Sequence, residues 1–476
     1  MNRAATRDMT RAATAAAFAA PNRRRATAAA AVLGLVLGGL AGGQAVRAQD
    51  WPGGLRLTFG VEQGFEYGRN LALETPPEGT TVLAVTRLSF GLDSGTRDQR
   101  LQIDGGAALR LGRAPGDAGS TGLVEPELRF SYNREGARAA LNLAGSYTQR
   151  DVAFLRGTGE DLELLTGTGQ RSDHALSARL ELGRDLPFGL VLNAGRSGTG
   201  YSGTSDPGLF DLRRDTLGAT ARLAFGPLTT GRLTLRRDGY AAEDAVATRR
   251  RTSLVEAGLA QEISPALRLD LALGQSEIRT TEAGLTVVTR GLTGRAGLVA
   301  DLANGTASVD LDATLDTEGA ARRTLTFGRS LELARGALSA RLGVTWPEGA
   351  EAALVGGLDW RQDLPDGSIA LRLDRSVGVT STDETRVATV LALDYSREIN
   401  AVSGFGLGLS LAVTEATATD PRIERSGLTA TWRRSLTEDW GLTAGARYQT
   451  LRETGQPRAR APSVFLTIGR QFEFRP

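Results

Sequence analysis

The sequence predicts an all-β fold, a single-chain antiparallel transmembrane β-barrel of about 22 strands (range roughly 16 to 24) with no separate plug domain. Three observations predict it. Apolar side chains recur at every second position along most of the chain, the links between such segments alternate short and long, and an export-type leader stands at the N-terminus.

Composition excludes the globular alternative. The 476 residues include 60 Gly but only 16 Pro, 5 % aromatics, one His and no Cys, a poor recipe for the two or three packed cores that a soluble chain of this length would need. Hydrophobic residues make up 41 %, yet mean hydropathy is slightly negative at -0.17. Strands that turn one face to lipid and the other to water average to such a value. All 56 basic residues are Arg, as a GC-rich coding bias produces. Residues 1–48 hold seven Arg (Arg3, Arg7, Arg11, Arg23, Arg24, Arg25 and Arg47) against the single acid Asp8, so this segment carries +6 of a chain total of +2 and the remainder is −4. A mildly acidic remainder offers no clustered positive charge for nucleic acid.

The leader is read from Arg23-Arg24-Arg25, the apolar stretch Ala26 to Leu40, and Ala45-Val46-Arg47-Ala48. This order of basic, apolar and small-residue regions is that of a secretory signal peptide cut after Ala48. The apolar run is shorter than the ~20 residues of a spanning helix. The triple Arg lacks the apolar residues that directly follow a twin-arginine pair, which favours general secretion. The chain thus divides into a signal peptide, 1–48, and a barrel, 49–476.

From Leu55 onward, segments of alternating polarity are separated by turns rich in Gly, Asp, Asn, Pro and Ser. The clearest are Leu101, Ile103, Leu109, Leu111; Leu267, Leu269, Leu271, Leu273; Val309, Leu311, Ala313, Leu315; and Phe405, Leu407, Leu409, Leu411, Val413. Short links are read at Asn133–Gly136, Gly226–Leu228, Glu262–Pro265, Ala303–Thr306 and Ala334–Gly336. Longer, more charged ones are read at Gly68–Gly79, Arg150–Asp173, Gly200–Arg214, Asp238–Arg250 and Gln449–Pro462. Periplasmic turns and external loops alternate in this way, and Asn304-Gly305 is itself a strong hairpin signal. The last segment places Val464, Leu466, Ile468, Phe472 and Phe474 on one face, an aromatic-terminated closing strand displaced by Arg475 and Pro476. Trp51, Tyr67, Tyr132, Tyr147, Trp346, Trp360, Tyr395, Trp432 and Tyr448 fall near segment ends, where interfacial girdles need them. A propeller or β-helix would instead show sequence repeats of fixed period, and none is found.

The strings LRLTFGVEQGFEYGRNLAL, SFGLDSGTRDQRLQIDGGAAL, LTATWRRSLTEDWGLTAGARY and SVFLTIGRQFEF resemble bacterial outer-membrane β-barrels of the porin kind, some of which accompany exopolysaccharide export. The resemblance implies a fold and a location, the cell outer membrane of a Gram-negative bacterium, and none of the strings is a functional motif.

Charges in mid-strand must avoid lipid, where an Arg near the bilayer centre costs roughly 2 to 4 kcal/mol. That parity makes Arg110, Glu125, Glu127, Arg129, Arg179, Glu181, Arg268, Asp270, Asp310, Asp312, Arg372, Asp374 and Asp394 the expected lumen lining, with Leu269 and Leu271 facing outward. Mixed signs fit both a lattice of cross-strand ion pairs and a selectivity surface. No enzyme chemistry is expected. His174 and Asp173 are adjacent and so point to opposite faces of a strand, thiolate chemistry has no Cys, and a single His cannot build a His-rich metal centre. The acids Glu160, Asp161 and Glu163 read as a solvated loop face, with external Ca²⁺ the minor alternative. Arg236-Arg237 and Arg249-Arg250-Arg251 read as loop or rim faces. The expected function is a channel for a hydrophilic solute or exported polymer, without a cofactor. The alternative is a non-conducting barrel that anchors or receives an envelope partner. Expected partners are outer-membrane lipid, the barrel assembly machinery and periplasmic export proteins.

Overall fold

The computed structural model describes residues 54–476 other than 78, 114–120, 153–168, 318, 350, 380–384 and 418–420. The leader, its cleavage site, Trp51 and the Glu160, Asp161, Glu163 cluster lie outside the described residues. The first eleven strands are β1 (Gly54–Arg69), β2 (Thr80–Gly95), β3 (Gln99–Arg113), β4 (Gly122–Glu135), β5 (Ala139–Asp151), β6 (Gln170–Leu182), β7 (Phe188–Ser202), β8 (Leu212–Gly226), β9 (Thr229–Ala242), β10 (Arg249–Ser264) and β11 (Leu267–Glu282). The other eleven are β12 (Leu285–Leu302), β13 (Gly305–Leu315), β14 (Ala321–Leu333), β15 (Gly336–Pro347), β16 (Ala353–Leu364), β17 (Gly367–Val379), β18 (Thr385–Asn400), β19 (Ser403–Thr414), β20 (Ile423–Ser435), β21 (Trp440–Glu453) and β22 (Ala459–Phe474).

Each strand pairs antiparallel with its neighbours in sequence, and β22 returns to β1 from Leu57 opposite Phe474 to Gly68 opposite Ser463. The sheet is therefore a closed 22-stranded barrel without a free edge. Every described residue up to Phe474 belongs to a strand or to a link between strands, and none of the described residues forms a separate plug.

Links after most even-numbered strands are two residues long, as at 227–228, 265–266, 303–304, 334–335, 365–366 and 401–402. Those after odd-numbered strands reach 70–79, 152–169, 203–211 and 415–422. One departs from the pattern. Ala283 (φ 47°) and Gly284 (φ 83°) take a left-handed pair that turns β11 directly into β12. The strands also run further than hydrophobic alternation alone indicates. Arg150 and Asp151 end β5, Gln170–Asp173 open β6, Ala459–Pro462 open β22, and Asn133–Glu135 still belong to β4. The ladder bonds backbone to backbone, so a strand continues through charged residues wherever water can solvate their side chains.

Tracing the register around the barrel separates two faces. Asp270 stands opposite Ala260 and Gly297, Gly297 opposite Asp310, and Asp310 opposite Thr326. Buried strand residues such as Leu83, Ala108, Ile278, Ala388, Ala461, Arg110, Thr345 and Arg425 share this polar parity. Leu273, Leu292, Phe327, Leu342 and Leu354 lie on the other parity and are more than half exposed. Side chains crowd together on the concave side of a closed sheet and splay apart on the convex side, so the polar parity is the inner one.

The eight girdle aromatics within the described residues, Tyr67, Tyr132, Tyr147, Trp346, Trp360, Tyr395, Trp432 and Tyr448, all take the apolar, convex parity. On β21, Trp440 and Tyr448 bracket Leu442, Ala444 and Ala446. At ~3.3 Å per residue and a tilt of ~40°, their separation along the barrel axis is about 20 Å, close to the ~25 Å apolar band of such barrels. Two arginines on this face reach toward the short-link end. Arg470 contacts Asp439 (3.3 Å) and lies over the rings of Trp440 and Phe472, and Arg329 donates to the Thr306 carbonyl (3.0 Å) and Asn304 Oδ1 (2.6 Å). Both keep an apolar stem in the band and carry the charge to its edge.

An epitope inserted after Gly208, in the 203–211 link, is expected to be reached by antibody on intact cells. One inserted after Pro227 is expected to be reached only after the outer membrane is opened. The opposite labelling would invert the assignment of the two ends.

Candidate functional site

The register brings twelve of the thirteen expected lining residues to one face, and Glu125 joins them through its contacts with Arg110 and Arg87. Arg129 lies opposite Asp104, Arg179 opposite Asn142, Asp312 opposite Arg295, Arg372 opposite Asp359, and Asp394 opposite Ala370. Arg268 and Asp270 alternate with Leu269 on β11. Glu125 sits in the bulge where β3 and β4 shift register, with φ of 53°, and its carboxylate accepts from Arg110 and from Arg87 (3.4 Å). Glu127 pairs with Arg129, and Glu181 with Arg179.

Two ion pairs share a device that sequence reading missed. Arg232 on β9 reaches across β10 at Gly258 to clasp Asp270 on β11 through both guanidinium nitrogens (2.5 and 2.6 Å). Arg341 on β15 likewise reaches across β16 at Gly357 to Asp374 on β17, through one guanidinium nitrogen. A Cβ at Gly258 would stand 2.5 Å from Arg232 Nε, and one at Gly357 3.0 Å from Arg341 Nε, so glycine opens each lane. A bidentate guanidinium–carboxylate pair spanning three strands ties the wall more firmly than an adjacent pair. Gly258→Val is expected to lower the temperature at which the heat-modifiable form is lost by several degrees. In an Arg232→Gln background the same change is expected to add little, the non-additivity that marks shared dependence.

Toward the mouth on the long-link side the lining changes character. Arg110 is buried and paired with Glu125 and Asp151. Tyr240 lies between the guanidinium groups of Arg214 (5.2 Å) and Arg250 (5.0 Å) and packs with Leu212, Ala242 and Phe210. The 70–79 link, in its described residues, folds onto the inner face, where Leu73 is buried against Ile423, Leu451, Ala459 and Ala461 of β20, β21 and β22. The Asn70 side chain braces this fold, donating to the Glu74 carbonyl and accepting from the Glu74 N–H, both at 2.9 Å. Between β17 and β21, by contrast, the wall is lined by small side chains such as Ala370, Ala392, Gly406, Gly408, Gly427 and Thr429, with Asp394 and Arg433 the charges in a recess of about 550 Å³.

His174 lies on β6, not in a loop, and takes the apolar parity over Gly198, while Asp173 on the polar face accepts from Thr199 (2.7 Å) and Arg171. Neighbours on a strand are thus separated by the sheet itself. Among the described residues no group of three or more His, Cys, Asp or Glu is placed to hold a metal ion.

The chain's 22 antiparallel strands, closed ladder and opposed polar and apolar faces resemble those of known structures. This is the fold of large 22-stranded outer-membrane barrels. The FrpB iron transporter of Neisseria meningitidis aligns over 89 % of this chain and 83 % of its own, with a TM-score of 0.59 at 10 % identity. The ferric-catecholate import receptor Fiu of E. coli K12 aligns over 90 % and 82 % with a TM-score of 0.57 at 10 % identity. A ferric enterobactin receptor of Pseudomonas aeruginosa aligns over 89 % and 82 % with a TM-score of 0.52 at 10 % identity. No protein-family model and no curated protein sequence matches the chain. At this identity the barrel architecture is what is shared. Barrels of 22 strands in outer-membrane transporters carry a plug in the lumen, and the described residues of this chain carry none.

Proposed function

We propose that the chain is exported by the general secretion route, cut after Ala48, inserted into the outer membrane by the barrel assembly machinery, and serves there as a porin-like channel for a hydrophilic solute or an exported polymer. The reading rests on one observation: charges of both signs are held in ion pairs along the inner face, Arg268 with Asp301, Arg232 with Asp270, Arg295 with Asp312 and Arg341 with Asp374. A wall of this kind stays hydrated and presents no specific chemical centre, which favours passage over catalysis. The iron transporter and import receptors that share the fold are in keeping with transport. The thirteen charges from Arg110 to Asp394 would then set ion preference. Neighbouring periplasmic export proteins would deliver a polymer to the short-link end.

Purified full-length protein in planar lipid bilayers tests this. Stepwise single-channel conductance in potassium chloride is the expected result. Folded, heat-modifiable protein that never conducts would favour the other reading, a structural barrel that anchors or receives an envelope partner.

A further inference from the structure

The convex face changes abruptly on β7 to β12. Moving toward the long-link end, Ala194 is followed on the same parity by Arg196, Leu217 by Asp215, Leu235 by Arg237, Val255 by Ser253, and Leu292 by Arg290. The first charged row runs directly from strand to strand as Arg237, Ser253, Glu277, Arg290. The next row sets Arg251 opposite Arg279 and the one beyond sets Arg249 opposite Thr281. Glu277 is shared by Arg279 (3.5 Å) and Arg290 (2.7 Å). Arg237, Arg249 and Arg251 are exposed and have no ion-pair or hydrogen-bond partner among the described residues.

Directly below these guanidinium groups the same face is hollowed into an apolar groove of about 600 Å³, with Leu180, Leu192, Leu217, Leu235 and Val255 in its wall and Arg237 and Ser253 at its upper edge. Other charges on this face are paired, as Arg196 and Arg213 are with Asp215 and Arg422 and Arg452 with Glu424. An unpaired Arg237 at the end of an apolar trough, with unpaired Arg251 and Arg249 in the next two rows beyond it, matches a ligand with an anionic head and a hydrocarbon tail. Guanidinium is suited to phosphate, which it can clasp through two parallel hydrogen bonds.

We propose that β6 to β12 carry a binding site for a phosphorylated lipid of the outer leaflet, its phosphate held by Arg237, Arg251 and Arg249 and an acyl chain lying in the groove between Leu192 and Val255. The proposal rests on the outer-membrane reading above. The lipid held there would tie the outermost turns of β9 to β12 to the leaflet and fix the height of the barrel in the membrane.

The experiment uses the full mature chain purified in detergent, mixed with a bis-phosphorylated, multiply acylated glucosamine disaccharide lipid, and read by native mass spectrometry and by equilibrium exchange of a radiolabelled sample. One lipid is expected to be retained per barrel. Arg237→Gln together with Arg251→Gln is expected to reduce retention at least tenfold, while Arg213→Gln, on the same face but paired with Asp215, leaves it unchanged. The dephosphorylated lipid is expected to bind like the double variant, and inorganic phosphate alone is expected not to displace the intact lipid, since it lacks the tail. Equal retention by the parent and the double variant, or by phosphorylated and dephosphorylated lipid, would overturn the site. Heat-modifiable migration of every sample separates that result from loss of the barrel. Failure of the parent to insert into bilayers of any composition would count against the membrane reading instead.

Discussion

Leu271→Arg is expected to abolish the heat-modifiable folded form, whereas Asp270→Asn, one residue away on β11, is expected to leave it intact. Leu271 takes the convex parity, opposite Leu259 and Ala296, in the middle of a run from Leu267 to Leu273 that ends at Gln275. A guanidinium there would face hydrocarbon near mid-depth, at a cost of roughly 2 to 4 kcal/mol. That is a large share of the 5 to 15 kcal/mol that typically separates folded from unfolded protein. Leu269, read from the alternation as an equivalent position, lies only two residues beyond the start of the strand at Leu267. A charge there sits near the interface, where the cost falls to about 0 to 1 kcal/mol, so Leu271 is the more decisive site. Asp270 faces inward and is clasped by Arg232, but the two side chains remain 36 % and 26 % exposed, and water screens what is lost when the carboxylate becomes an amide. The reversal potential in a salt gradient is expected to move slightly toward anion preference once that wall charge is gone. Should Leu271→Arg fold and Asp270→Asn fail, the two faces of β11 would have to be exchanged.

The contrast between these two residues is legible in sequence because side-chain direction in a strand is a two-state code, repeated over many segments. The same code gave the inner parity of Arg268, Asp310 and Asp374 without any structure. Register is another matter. Arg232 and Asp270 are 38 residues apart and separated by a whole strand, and only the pairing of β9, β10 and β11 shows that Gly258 stands between them. Strand ends were blurred for a related reason, since Arg249 and Arg250 are as polar as any loop yet remain in the ladder opposite Thr281 and Thr280. The basic run Arg249-Arg250-Arg251, read as one solvated rim, is in fact divided by the sheet: Arg250 turns inward to the Tyr240 ring, and its two neighbours turn outward. The inward fold of the 70–79 link left a faint trace in sequence, because Leu71 and Leu73 are apolar residues in a segment where solvent-facing polar ones are the rule.

That link is the subject of the second large effect. Leu73→Asp is expected to release the 70–79 segment from the inner face, raise single-channel conductance and leave the folded form intact. Leu73 is 2 % exposed and holds a left-handed backbone, φ 56°, which a bulky side chain adopts only when its surroundings enforce it. The enforcement comes from Ile423, Leu451, Ala459 and Ala461 on one side and from the Asn70 brace on the other. A carboxylate buried in that apolar cluster without a partner is costly enough to outweigh both, and the segment can instead move into water. The barrel itself loses nothing, because the β1–β2 ladder closes at Arg69 opposite Thr80 and the link contributes no strand pairing. The gain in conductance is bounded by geometry. Strands ~4.8 Å apart, tilted by ~40°, make a 22-stranded barrel about 40 Å across between backbones, and a ten-residue link narrows such a mouth without closing it. A glutamate-specific protease gives a readout that does not depend on conduction: cleavage after Glu74 on intact cells should be slow in the parent and rapid in Leu73→Asp. Unchanged cleavage and unchanged conductance together would mean that the apolar cluster does not hold the link at the mouth.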